Sequence, residues 1–157
     1  MPSHRCLSLV AGSLLLLGAC GIDSQNQDGT TATAPDISGI FEGAFVSASD
    51  SRTHAITSLA VIRINANNYR LDFDVAPNDV NGVYDPEGYF LDTLLNTDPL
   101  ETKVDDSGAM YVSARGGDLI LNAVARKNGS FIEGDWLQVS PIEEHGLWSA
   151  TRVASSP

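Results

Sequence analysis

Trp136 and Trp148 lie on the two arms of the last hairpin that the sequence spells, Ile132-Glu133-Gly134-Asp135-Trp136 and Gly146-Leu147-Trp148-Ser149-Ala150-Thr151-Arg152. Arg152 follows Trp148 by four residues and so shares its face on an extended strand. Two indoles facing each other across a hairpin, with a guanidinium beyond them, make an aromatic pocket with a cationic gate, and Phe41 and Phe45 add rings from the start of the domain. These five residues, Phe41, Phe45, Trp136, Trp148 and Arg152, are the candidate ligand-binding set. The same residues also make a packed barrel end in which Arg152 stacks on an indole, a cation–π contact of about 0.5 to 2 kcal/mol.

Other chemistry is sparser. Asp72/Asp74 and Glu133/Asp135 are carboxylate pairs at i,i+2, about 7 Å apart on a strand. That separation suits acid–base work, but both pairs sit opposite the apolar face, where nothing raises one pKa over the other, so they read as a solvated acidic surface. Asp79-Val80-Asn81-Gly82-Val83-Tyr84-Asp85-Pro86-Glu87 is rich in oxygen donors yet fails the calcium-loop spacing, with Val83 at a ligand position and Tyr84 where the turn needs Gly. His54 and His145 are isolated, with no zinc spacing around them. No nucleophile elbow, phosphate-cradling loop or dinucleotide fingerprint is present. The expectation is a protein without catalytic residues, cofactor or metal.

The first twenty residues carry a different chemistry. His4 and Arg5 precede an apolar core from Leu7 to Leu17, and Gly18-Ala19 lead into Cys20. This is the layout of an export signal, too short to span a membrane stably. The stretch Leu17-Gly18-Ala19-Cys20 resembles the lipobox of bacterial lipoproteins. That resemblance implies diacylglycerol transfer to the Cys20 thiol, cleavage of residues 1–19, and a membrane partner reached through the lipid. Cys6 leaves with the leader, so the mature chain keeps one cysteine and no internal disulfide, and a lipid thioether removes a thiol that would otherwise pair adventitiously in an oxidising envelope. Gly21, rather than Asp, follows the cysteine; the resemblance then implies the outer membrane, with the domain facing the periplasm.

The elements that must hold the aromatic set are strands. At 157 residues, with 43% hydrophobic and 18% charged residues, the chain has the size of one domain and enough apolar content to fold. A net charge of -11 disfavours nucleic acid as a partner. Residues 20–36 are polar and Pro/Gly/Thr-rich, and read as the lipidated cysteine and a flexible tether. From Ile37 the period is two, clearest in Tyr69-Arg70-Leu71-Asp72-Phe73-Asp74-Val75. Turn residues at 65–68, 105–108, 115–118 and 127–130 divide strands expected near 37–47, 54–65, 69–76, 88–95, 100–104, 109–115, 118–126, 131–139 and 145–153. Pro77, Pro86 and Pro99 mark the least regular stretch. The reading is all-β: eight or nine antiparallel strands in an up-and-down meander closed into a barrel over residues 37–153, with a tail at 154–157.

Ser38-Gly39-Ile40-Phe41-Glu42-Gly43-Ala44-Phe45 sets aromatics between glycines on one face, and glycines at 39, 43 and 134 are read as leaving room inside. An early Gly-x-aromatic element and a late Arg152 resemble the lipocalin-like, calycin-type barrels. The resemblance implies the barrel shape, and the leading reading is that the barrel takes an apolar small molecule or lipid around Phe41, Phe45, Trp136 and Trp148. The alternative is a filled barrel that meets an envelope protein, such as a hydrolase it inhibits, through its loops, with residues 77–99 as the natural surface.

Overall fold

Alternation builds the strands as the side chains dictate. In β3 (Asn68–Val75) Tyr69, Leu71, Phe73 and Val75 are buried while Arg70, Asp72 and Asp74 face solvent. The computed structural model describes residues 33–77, 79–80, 83–84 and 91–155. The export leader, Cys20, most of the tether and most of the Asp79–Glu87 loop lie outside the described residues.

Around β3 stand β1 (Gly39–Ser47), β2 (Thr53–Asn65), β6 (Leu100–Lys103), β7 (Ala109–Ala114), β8 (Leu119–Arg126), β9 (Phe131–Gln138) and β10 (Glu144–Ala154). A minor two-stranded ladder pairs β4 (Asp79–Val80) with β5 (Val83–Tyr84). The eight-stranded sheet runs β6-β3-β2-β1-β10-β9-β8-β7, all antiparallel, so the first and last strands pair and the meander closes on itself. This is the antiparallel up-and-down barrel expected from the alternation and the hairpin turns.

Closure is incomplete at one seam. Asp105 makes the expected turn, its Oδ1 accepting from the backbone N–H of Ser107 (2.8 Å) and Ala109 (2.9 Å), but β6 and β7 form no ladder. Instead Asp105 N–H donates to Ala109 O (3.0 Å) and the Thr102 hydroxyl to Tyr111 O (2.9 Å). A side-chain hydroxyl therefore stands in for a backbone donor across this seam.

The other hairpins follow their turn residues. Asn65 pairs with Asn68, leaving Ala66-Asn67 at the tip. At the β8–β9 turn Lys127, Asn128 and Gly129 all adopt positive φ (50°, 55° and 83°), the left-handed run for which Asn-Gly is suited.

Two expectations need correction. The strand expected at 88–95 is, over its described part, the helix α1 (Leu91–Leu95). Leu91, Leu94 and Leu95 are the buried residues of this turn, an i, i+3, i+4 stripe that puts all three on one helical face; five residues are too few for that period to stand out beside the prolines. The folded domain also begins before Ile37. Ala34 (6% exposed) and Ile37 (0%) are buried against the barrel, so the last residues of the expected tether belong to the core.

Candidate functional site

The candidate set is brought together in part. Phe41, Phe45, Trp136 and Trp148 all point inward and are at most 2% exposed. Phe45 stands directly opposite Trp148 on the paired strands, and their rings stack at 5.7 Å with 24° between planes. Trp136 meets Phe45 edge-on at 6.4 Å, and Phe73 approaches both Phe45 (6.3 Å) and Trp148 (6.2 Å). One continuous aromatic cluster fills the barrel around Phe45.

The two tryptophans do not face each other. Trp136 is paired with Gly146 and Trp148 with Gly134, because the motif Gly-x-Trp occurs on both β9 and β10 and the strands are antiparallel. Trp136 Nε1–H donates to Val46 O and Trp148 Nε1–H to Asn122 O, both at 3.3 Å. Those carbonyls occupy the places of missing side chains. A Cβ on Gly146 would lie 1.9 Å from Val46 O, and one on Gly134 would lie 1.8 Å from Asn122 O. Each glycine therefore admits the neighbouring strand closely enough for its carbonyl to satisfy an indole N–H that is buried away from water. This corrects the expectation of interior room. The space released at Gly43 and Gly134 is taken by backbone of the adjoining strands, and a Cβ on Gly39 would lie 2.7 Å from Ala154 O.

Arg152 departs from the set in a second way. It is paired with Phe41, and its guanidinium lies over that ring, 5.4 Å from the centroid, rather than over an indole. Its Nη2 donates to Asp36 O (2.7 Å) and Gly129 O (3.0 Å), while its Nε is buried with no acceptor among the described residues. Arg63 completes this end: it donates to the Tyr69 hydroxyl (2.8 Å) and lies 3.5 Å from the Asp36 carboxylate. Burial raises the Asp36 pKa, but hydrogen bonds from the Ser38 hydroxyl and backbone N–H, with the Arg63 and Arg152 charges, outweigh it and hold the carboxyl below its ordinary value. Arg152 closes this end of the barrel and lines neither of the two grooves described below.

The opposite end carries residues that the sequence did not single out. Leu91, Leu94 and Leu95 of α1 join the core there. The Asn96 amide binds Val75 reciprocally, accepting from its N–H (2.8 Å) and donating to its carbonyl (2.9 Å), which extends β3 by one side-chain rung. Arg115 Nη2 donates to Thr97 Oγ1 (3.1 Å) and to Thr93 O (3.4 Å). His54 is 4% exposed, and burial, seconded by Arg52, lowers its pKa while Asp92 of α1 and Asp50 pull it back up. The signal for this cluster was the Leu91-Asp92-Thr93-Leu94-Leu95 stripe and nothing else.

Two concave places adjoin these elements. Beside α1, a groove of about 560 Å³ is lined by Leu94, Thr97, Asp98, Leu100 and Arg115. On the outside of β1, β10 and β9, a groove of about 510 Å³ runs over Ala44, Val46, Phe131, Leu147 and Ser149, with Glu133 and Asp135 beside them. Both carboxylate pairs singled out in the sequence are exposed. Among the described residues no group of three or more His, Cys, Asp or Glu is placed to hold a metal, and no helix is long and apolar enough to cross a membrane.

No known protein family matches the chain, and no curated protein matches it. Among solved structures it is similar to one described as "The Siderocalin Ex-FABP functions through dual ligand specificities", with a TM-score of 0.43 and 9% identity over 74% of this chain and 69% of that chain. The up-and-down barrel architecture itself is read from the strand order and register.

Proposed function

We propose that this chain is a non-enzymatic lipoprotein, held through Cys20 at the bacterial outer membrane on its periplasmic side, whose barrel takes an apolar small molecule or lipid at the end stoppered by α1. The observation that carries this reading is the stopper itself. One end of the barrel is closed by three leucines on a five-residue helix, which is too short to be stable alone. An apolar ligand would replace leucine side chains there and meet the aromatic cluster around Phe45, exchanging like surface for like.

The test is native mass spectrometry and organic extraction of the full chain, with an environment-sensitive apolar dye as the added probe. Leu91→Ser with Leu95→Ser is expected to open the mouth and increase dye uptake severalfold. Absence of any bound or added apolar molecule in both proteins overturns the reading. For the anchor, a fatty-acid label is expected on the parent chain and not on Cys20→Ala; equal labelling of the two rejects it.

A second reading, a protein-interaction module with a filled barrel, is favoured by the ring contacts that occupy the interior and by the exposed Leu147.

A further inference from the structure

The outer groove lies on a face that a barrel would ordinarily leave polar. Strand register places three rows side by side across β1, β10 and β9: Val46–Leu147–Asp135, Ala44–Ser149–Glu133 and Glu42–Thr151–Phe131. The middle row is small on two of its strands, so a trough forms between Leu147 and Val46 at one end and Phe131 at the other. Leu147 is 68% exposed and Val46 39%, both on the solvent side of strands whose inward residues are already satisfied. Large side chains left this exposed beside a depression mark a contact surface.

The charges along the trough are the Glu133 and Asp135 carboxylates on β9 and the Lys127 ammonium, 5.2 Å from the centroid of the Phe131 ring at its far end. Glu133 and Asp135 lie two residues apart on β9, so their side chains project on the same face about 7 Å from each other. Glu133 is engaged by Arg126 Nε at 3.1 Å and Asp135 by the Asn122 amide at 2.8 Å. A carboxylate accepts several hydrogen bonds, so each has capacity left for an incoming donor. The net charge of -11 adds a field that draws cations towards the surface.

We propose that this groove is the docking site for an extended basic segment of a partner protein, one with Lys or Arg two residues apart and a bulky apolar residue beside them. The strand repeat of the segment matches that of Glu133 and Asp135, so consecutive outward cations fall opposite consecutive carboxylates. The apolar residue sits over Ala44 and Ser149, between Leu147 and Phe131. Arg126 competes with the incoming cation for Glu133. This inference rests on the interaction-module reading and is independent of ligand capture beneath α1.

The probes are two labelled peptides, Phe-Ser-Lys-Ser-Lys-Ser-Phe and its Glu counterpart, titrated against the full chain by fluorescence anisotropy at two salt concentrations. The Lys peptide is expected to bind saturably and at least about tenfold more tightly than the Glu peptide, with affinity falling as salt rises. Leu147→Asn, which removes the apolar wall without adding a charge beside Asp135, should abolish binding, and the pair Glu133→Gln and Asp135→Asn should weaken it about tenfold and flatten its salt dependence. Arg126→Ala should tighten it severalfold by freeing Glu133. All four side chains are exposed, so thermal unfolding of each variant should match the parent and exclude misfolding as the cause. Equal binding of the two peptides, or binding indifferent to Leu147→Asn, overturns the proposal. So does concentration-dependent dimerisation abolished by Leu147→Asn, which would assign the face to a second copy. Dye uptake at the α1 end, measured on the same variants, is expected to stay unchanged, which separates failure here from failure of the ligand reading.

Discussion

The two ends of the barrel are closed by opposite means. At the Arg152 end, the segment before β1 is fastened by charge-assisted hydrogen bonds to backbone carbonyls, a tyrosine hydroxyl and an ion pair, and Gly108 and Gly129 leave space for its chain beside Pro35 and Asp36. At the α1 end, three leucine side chains form the plug, held by the Asn96 amide on Val75 and by Arg115 on Thr93 O and Thr97. Directional bonds to charged groups resist displacement because a donor left without its acceptor is costly, whereas an apolar plug can be exchanged for another apolar body at little cost. On the proposed ligand reading, the contrast assigns the Arg152 end as the fixed one and the α1 end as the one that opens.

Between the two closures lies the aromatic cluster, and the largest expected effect comes from breaking it. Trp148→Ala removes a ring stacked on Phe45 and leaves Asn122 O without its indole donor. A loss of about 3–5 kcal/mol is expected, by urea or thermal unfolding, and it should fall on both ends together because the cluster spans the interior. Loss of structure at only one end would show that the ends are separate folding units and would undo the comparison.

The next effect sharpens it. Arg152→Met keeps the apolar stem over Phe41 but deletes the donors to Asp36 O and Gly129 O. The expected cost is about 2 kcal/mol, read by denaturant unfolding, with the amides of residues 33–38 losing hydrogen-exchange protection first. Asn96→Ala removes the two bonds to the Val75 backbone. Here about 1 to 2 kcal/mol should be lost locally, with faster exchange at α1 and little change in global unfolding. Equal exchange rates at the two ends of the parent protein would contradict the assignment of a fixed and an opening end.

Much of this contrast was legible in the residues, and the part that was not has a physical cause. The strands were legible because one face of each is buried and one is wet, so Tyr69 to Val75 spells its own orientation. The turns at 115–118 and 127–130 were legible through the positive φ that their glycines and Asn128 adopt. The inward direction of Phe41, Phe45, Trp136 and Trp148 followed from the same alternation. Their partners did not, since pairing depends on register. A register shift of two residues, which keeps both indoles facing inward, decides whether Trp148 meets Trp136 or Gly134. The glycines were recognised as special for the wrong reason: in the sequence a missing Cβ looks like empty space, and in the fold it is filled by a neighbouring carbonyl. The outer groove was illegible because Leu147 reads as one ordinary outward position until Val46 and Phe131 are brought beside it by strands distant in the chain.

The smallest expected effect tests the opening end through its one buried imidazole. Burial and Arg52 hold the His54 pKa below its ordinary value, against the opposing pull of Asp92 and Asp50. The unfolded chain therefore takes up the proton at a higher pH than the folded one does. This contribution to stability is complete above the unfolded value of about 6.5 and is lost as the pH falls through the lower, folded one. Because a protonated His54 is disfavoured by its burial at this end, an effect that Asp92 of α1 opposes without cancelling, acidification should loosen the α1 end ahead of the Arg152 end. Below about pH 6.5, hydrogen exchange at 91–96 is expected to quicken relative to 33–38, after correction for the intrinsic pH dependence of exchange. His54→Gln, uncharged at every pH, should remove that difference. If the difference persists in the variant, the acid response belongs to the carboxylates, and His54 is a packed core residue with no part in opening the barrel.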